Sequence, residues 1–436
     1  MKNLKKKTMM AMLSLAMTFT AFGAVGGVTA LAAEGEHTHT YTNGFCETVA
    51  GETHYEAPTL NNNGTESNTA DDYYEIGNAG ELYWFAEHVN YKENDTAPNT
   101  KANAKLTANI VVNENVLVNG EWNEEKKDTL RVWTPIGIVV SGLGGYMGTF
   151  DGQGFTVSGL YVNDAETSYV GLFSRDSDSK TRQAATIQNV GVIDSYFRGN
   201  RYVAGIVGQS NDGSKIINCY SDCLIYGSSY LGGISSYAMN DCTIKDCYST
   251  STIKAEQNMA GGILGADSPS SENVIENCYY LTGSVTDAKG ALQYGIGFPI
   301  TGQMRPDVEG QTKGFATVGE IYKARFLNGT DTATYVDYLE NQIAEADKAN
   351  ADEIEKLQGE LDTAKQALET EKGELAAKDE ALEKAAAENK AAIEAAMNEA
   401  DSKNKTLGVI GLVFGTVSFA GVAAMAVLTF LKKKKS

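Results

Sequence analysis

Three short stretches decide the fold: INCYSDC at Ile217–Cys223, IKDCYST at Ile244–Thr250 and IENCYYL at Ile275–Leu281. Each passes from an aliphatic residue through Asn or Asp to Cys-Tyr, in a chain with only 6 cysteines. Working outward, VSGLYV, IQNVGV, IINCYS, IKDCYS and IENCYY place Val157, Ile187, Ile216, Ile244 and Ile275 in one column. Leu160, Val190, Cys219, Cys247 and Cys278 form a second column. A further set, VGLFS, AGIVG, GGISS and GGILG, aligns Gly171, Gly205, Gly233 and Gly262. A period of roughly 30 residues is that of a solenoid. Units this short cannot bury an apolar face alone, so they stack, and short strands in register imply a right-handed parallel β-helix with one coil per repeat.

Within such coils the cysteines read as a buried ladder of small apolar fillers. Asn189, Asn218, Asp246 and Asn277 precede that column, and their side chains suit a left-handed bend. Tyr220, Tyr248 and Tyr279 follow it and are expected to point outward, which makes them the candidate ligand-binding residues. Cross-strand packing under a loop explains the same three residues without a ligand. Free, buried thiols are the expectation for the cysteines, with Cys223 and Cys242 the pair to watch for a bridge.

The segments YVGLFS, YVAGIVG and MAGGILG, each followed by IQNV, INCY or IENCY, resemble the GLUG motif of bacterial surface proteins of the Gram-positive, clostridial type. The lead-in ELYWFAEHVN, KLTANIVV, WTPIG and GTFDGQGFTVSGLYV resembles what precedes such repeats, so the likeness runs from about Tyr74 to Tyr280. It implies a surface-displayed binding or structural β-helix, in some relatives joined to an IgA-cleaving zinc peptidase. The zinc-peptidase motif His-Glu-x-x-His is missing here, since His37, His39, His54 and His88 have no such spacing. No Gly-x-Ser-x-Gly elbow or phosphate loop occurs either. Asp151, Asp194 and Asp246 are the carboxylates a glycosidase or lyase reading would use, and turn chemistry explains them equally.

Composition agrees with many short strands joined by glycine turns: 45 Gly against 6 Pro. A net charge of −20 argues against nucleic acid as a partner. The Lys-rich start, the apolar run Met9–Ala24 and Ala30–Ala32 read as a secretory signal peptide over 1–33. Leu407–Leu431 is an uncharged apolar run, long enough for a transmembrane helix, and the tail 432–436 is Lys-rich, so a single-pass membrane protein with an extracellular N-terminal ectodomain is expected. No Leu-Pro-x-Thr-Gly precedes the span, so covalent attachment to the wall is not expected.

The exposed segment 34–70 resembles small His and Cys-x-x-Cys-Gly metal ribbons. Its candidate zinc ligands are His37, His39, Cys46 and His54, but Val49-Ala50-Gly51 stands where the second Cys would fall. A resident cofactor is otherwise not expected. Asn78–Asn90 reads as a capped helix with Leu82, Phe85, Ala86 and Val89 on one face, closing the first coil of a β-helix domain over 71–330. Val318–Leu327 is expected to cap the other end. From 331 to 406, Ile354, Leu361, Leu368, Leu375 and Leu382 recur every seventh residue, which predicts a helical coiled-coil stalk and a possible homo-oligomer. The expected function is non-catalytic adhesion or binding of a host or microbial surface glycan or protein. The alternatives are a structural envelope component and a polysaccharide-active enzyme.

Overall fold

The structure, a computed structural model, describes residues 40–47, 54–62, 69–90, 99–139, 144–178, 180–257, 259–268, 271–288, 290–292, 294–297, 312–345 and 351–403. Four lateral sheets wrap one core. The first stacks seven parallel strands, Tyr73–Ile76, Asn103–Leu106, Thr149–Asp151, Thr186–Gln188, Lys215–Ile217, Thr243–Lys245 and Val274–Glu276. Seven rungs at ~4.8 Å spacing define a β-solenoid of about seven turns. The second sheet includes Gly191–Arg198 and Tyr220–Gly227, the third Arg201–Ala204, Ser229–Gly232 and Ala260–Gly261, and the fourth Phe173–Arg175, Val207–Gln209, Ser235–Ala238 and Leu264–Asp267. Every pairing between successive coils in these stacks is parallel.

The aliphatic column holds from its second member on: Ile187, Ile216, Ile244 and Ile275 pair in register and are buried. Its first member is Phe150, because Ile187 pairs with Phe150 while Val157 pairs with Val192 in the next sheet. The cysteine column likewise begins at Phe155, whose carbonyl accepts from the Gly191 N–H, and Leu160 lies opposite Ser195 instead. Gln153 and Gly154 lengthen the corner of that coil relative to Asn189-Val190, and this insertion slides the sequence alignment.

The corner residues Asn189, Asn218, Asp246 and Asn277 all have φ between 52° and 56°. Asn and Asp tolerate this left-handed region because their short polar side chains bond locally. The aligned glycines have another cause: a Cβ on Gly205 or Gly233 would sit 2.6 or 2.2 Å from the carbonyl oxygen of the next glycine in the column, and close approaches recur at Gly208 and Gly265 of the fourth sheet. A Cβ on Gly265 would sit 2.7 Å from the Leu231 nitrogen, and one on Gly208 would sit 2.8 Å from the Tyr169 Cα. The third sheet of one coil and the fourth sheet of the next thus meet backbone to backbone, which only glycine permits.

Helix α1, Ala79–Val89, starts at Asn78, whose side chain accepts from the Glu81 N–H at 2.9 Å. Glu81 reaches back to the N–H of Gly77, one residue earlier than a capping box requires. Its buried Phe85 meets Tyr146 and Phe150, and Tyr83 meets Trp133, so α1 fills the N-terminal end of the core as expected.

Helix α2, Val318–Leu327, has the Thr317–Glu320 capping box but is no end cap. It lies along the side of the solenoid, where Tyr322 meets Tyr248 and Arg325 bonds Asn218 and Asp246. The expected coiled-coil stalk is also corrected, and no transmembrane helix is found among the described residues. Helix α3, Thr332–Glu345, packs along helix α4, Ala351–Lys403, burying Tyr335, Val336, Leu339 and Ala364 with Leu357, Leu361 and Leu368 against them. The first half of the heptad seam is thereby covered within the chain, while Leu375 is 60% exposed. None of the four helices among the described residues is long and apolar enough to cross a membrane. The signal-peptide segment and Leu407–Leu431 lie outside the described residues.

Candidate functional site

Three columns of aromatic side chains run along the solenoid and differ in what lies over them. The first is the column expected from sequence: Tyr220, Tyr248 and Tyr279 pair in register, and the first two stack at 4.8 Å and 4°. Tyr248 does not face solvent. Tyr322 meets it edge-on at 5.9 Å and the Arg325 guanidinium lies 4.6 Å from its ring centre, leaving it 3% exposed. Phe315 packs on Tyr279. Burial pushes the Tyr220 phenol up to about 12 and raises that of Tyr279.

The second column is Tyr161, Tyr196 and Tyr226. A hairpin of Leu117–Val118 and Glu121–Trp122 folds over it, stacking Trp122 on Tyr161 at 5.0 Å and on Tyr196 at 4.6 Å. Lys254 closes its end, over the Tyr226 ring and beside Glu121.

The third column was missed in the sequence. Tyr169 and Tyr202 stack at 4.7 Å and 2°, and Tyr202 and Tyr230 at 4.7 Å and 24°. Its described neighbours, Tyr237, Met239, Met259 and Ala266, all belong to the coils themselves. Tyr169 and Tyr202 are half-buried, Tyr230 is buried and Arg201 is exposed. The Arg201 guanidinium lies 5.3 Å from the Tyr202 ring and 4.9 Å from that of Tyr230, and Arg175 lies 3.9 Å from the Tyr169 ring. Burial holds the Tyr202 phenol above its ordinary value against the pull of Arg201, so it stays a protonated donor.

Backbone strain sets this column apart. Tyr169, Tyr202, Tyr230 and Met259 have φ of 65°, 61°, 60° and 69°. The left-handed region costs a bulky residue ~1–2 kcal/mol, and at the asparagine corners the chain avoids that cost with a tolerant side chain. Strain retained in four successive coils is the kind of outlier that accompanies function. The sequence carried a usable signal: an aromatic or Met stands two or three residues ahead of each aligned glycine, at Tyr169, Tyr202, Tyr230 and Met259.

The remaining candidates are placed as follows. Asp151 accepts from Gln153 N–H, Gln188 and Asn189, which makes it the foot of the asparagine ladder. Asp246 is a rung of that ladder, accepting from Asn277 at 3.0 Å. Asp194 occupies a left-handed position at the bulge between Ile193 and Ser195. Cys46 and His54 are brought together, since Phe45 bridges Tyr55 in antiparallel fashion and the Cys46 N–H donates to the His54 carbonyl at 3.0 Å. His37 and His39 lie outside the described residues, among which no group of three metal-ligating side chains occurs. Cys219, Cys223, Cys242, Cys247 and Cys278 are buried free thiols, so Cys223 and Cys242 form no bridge, and the thiols of Cys219, Cys247 and Cys278 donate to backbone carbonyls. Burial pushes the Cys219 and Cys278 thiols well up.

Comparison with curated protein sequences returned no match. Among solved structures, the chain is similar to a Bacteroides ovatus protein described as "a putative immunoglobulin A1 protease", at 17% identity and a TM-score of 0.37, over 61% of this chain and 90% of that one. That likeness is too distant to bear on activity. A family model described as the GLUG motif matches residues 227–254, one coil's length that includes Tyr230 and the Gly232-Gly233 pair.

Proposed function

We propose that this chain is an exported, non-catalytic β-solenoid that binds a surface glycan or protein along the edge formed by the half-buried Tyr169 and Tyr202, with the buried Tyr230 supporting the stack. The observation that carries the reading is the contrast among the three aromatic columns. Two are roofed by the chain's own α2 or Trp122 hairpin, whereas the described neighbours of the third are the coils alone. Aromatic side chains with a polar tip are favoured at recognition surfaces, and these are held in the strained left-handed region in successive coils. The GLUG match and the signal-peptide reading of 1–33 support display outside the cell.

Retention of the full chain on arrays of host and microbial glycans and proteins tests this. Tyr202→Asn keeps a residue that accepts the left-handed backbone while removing the ring, and is expected to weaken retention about tenfold. Tyr220→Phe, under α2, is expected to leave it unchanged. Equal retention by Tyr202→Asn and the parent chain would move the site elsewhere, and no retention on any ligand would favour the structural envelope role.

A further inference from the structure

The structure assigns a ligand chemistry to this edge: we propose that it takes a linear anionic glycan, bearing carboxylate or sulfate groups, laid along the solenoid axis. The proposal rests on the binding reading above and narrows it.

Ring faces come first. A sugar ring that stacks on tyrosine needs a free aromatic face, yet Tyr202 has Tyr169 on one side and Tyr230 on the other, each at 4.7 Å. The outermost ring of the stack, Tyr169, has Arg175 over it at 3.9 Å. What the column offers a ligand is therefore ring edges and hydroxyls, which donate hydrogen bonds, and not apolar faces.

Charge comes second. Among the described residues neither Arg175 nor Arg201 has a carboxylate within ion-pair distance, and the Arg175 Nε is buried without a hydrogen-bond partner. Elsewhere in the chain the arginines at 182 and 325 do find carboxylates, Asp212 at 3.8 Å and Asp331 at 3.4 Å. Two unpaired guanidiniums on one aromatic edge, in a chain with 56 acidic residues available, mark a place where negative charge is to come from outside. The overall charge of −20 does not oppose this locally, because residues 149–257 carry 11 acidic and 8 basic side chains. The strong excess lies outside these coils.

Repetition comes third. The half-buried Tyr169 and Tyr202 place donors one coil apart, at ~4.8 Å, and Arg175 and Arg201 sit toward opposite ends of the stack that Tyr230 completes. A pair of donors one coil apart, flanked by cations, matches a polymer with repeating hydroxyl and anionic groups. It matches a single compact anion less well, since such an ion would meet only one guanidinium.

The test uses the full chain on immobilised polygalacturonate, heparin, neutral amylose and duplex DNA, at about 50 mM and about 500 mM salt. Retention is expected on polygalacturonate or heparin, with the difference between them separating carboxylate from sulfate recognition, and is expected to fall with salt. Arg201→Gln should weaken it about tenfold and Arg175→Gln/Arg201→Gln further still, with unfolding midpoints unchanged. The exposed single variant keeps the test sound should the double variant fold poorly. Equal retention on amylose or DNA, or binding by Arg201→Gln within about twofold of the parent, overturns the proposal. Binding only to a neutral glycan or a protein, lost in Tyr202→Asn, would overturn the anionic ligand while leaving the binding edge in place.

Discussion

Asp176 is a fully buried acid inside the fourth-sheet corner. One oxygen accepts the Asn211 N–H at 3.0 Å, and the other has no partner. Burial pushes its pKa up to about 7, against the pull of the Ser210 and Ser214 hydroxyls and the Asn211 N–H. The neighbouring Cys242 thiol, itself raised to about 12 by burial, stays neutral in that range. An unfolded aspartate titrates near ~3.9, so between that value and about 7 the folded chain holds a proton the unfolded chain has lost. Stability must then fall as pH rises through this window, by at most about 1.4 kcal/mol per pH unit. The parent chain is expected to unfold at a higher denaturant concentration at about pH 5 than at about pH 7.5, and Asp176→Asn should flatten that slope and stabilise the protein at neutral pH. A slope unchanged in Asp176→Asn would show that the proton sits elsewhere. At this scale the sequence was most legible where chemistry repeats: four Asn or Asp residues ahead of one column announced a left-handed corner. Asp176 was illegible because nothing in its local sequence distinguishes a buried acid from the half-buried Asp178 two residues on or the exposed Asp164.

At the scale of elements, α2 docks by completing an interrupted ladder. Asn189 donates to Asp151, Asn218 to Asn189, and Asn277 to Asp246, each near 2.9–3.0 Å. Asp246 has no side-chain N–H to give to Asn218, and Arg325 supplies that donor at 2.9 Å while also bonding the Asp246 carbonyl at 2.7 Å. Arg325→Met should cost about 2–4 kcal/mol, since it leaves buried acceptors unpaired. In an Asp246→Asn background, where residue 246 can itself donate to Asn218, the same change should cost about 1 kcal/mol less. Additive effects in that denaturation cycle, within about 0.5 kcal/mol, would refute the substitution of one donor for the other. The helices also show where pattern reading ran short. A heptad repeat reports only that one face seeks apolar cover, and here Tyr335, Val336 and Leu339 of α3 provide it over Leu357 to Leu368. Likewise Tyr220, Tyr248 and Tyr279 were correctly placed in one column, but the roof over them comes from Phe315, Tyr322 and Arg325, far downstream and beyond the reach of local periodicity.

For the whole molecule, coils with matching registers should be interchangeable. Tyr220 pairs with Tyr248, so deleting Tyr220–Cys247 joins Cys219 to Tyr248 without shifting any column. The shortened chain is expected to keep its β-sheet circular dichroism and unfold in one transition at lower denaturant, as nearest-neighbour stacking requires. Loss of a cooperative transition would mean that the coils are not equivalent units. The solenoid as a whole was legible because identical side chains stack on one another, and it became illegible at its first coils, where Gln153-Gly154 widens a corner and the columns no longer run at constant spacing. That regularity has a consequence of its own. A stack of equivalent turns offers no landmarks, and a helix sliding along it would find the same surface at every step. Asp246 differs from its neighbours by one oxygen in place of one nitrogen, and that single atom serves as an address, telling the returning chain at which turn to stop.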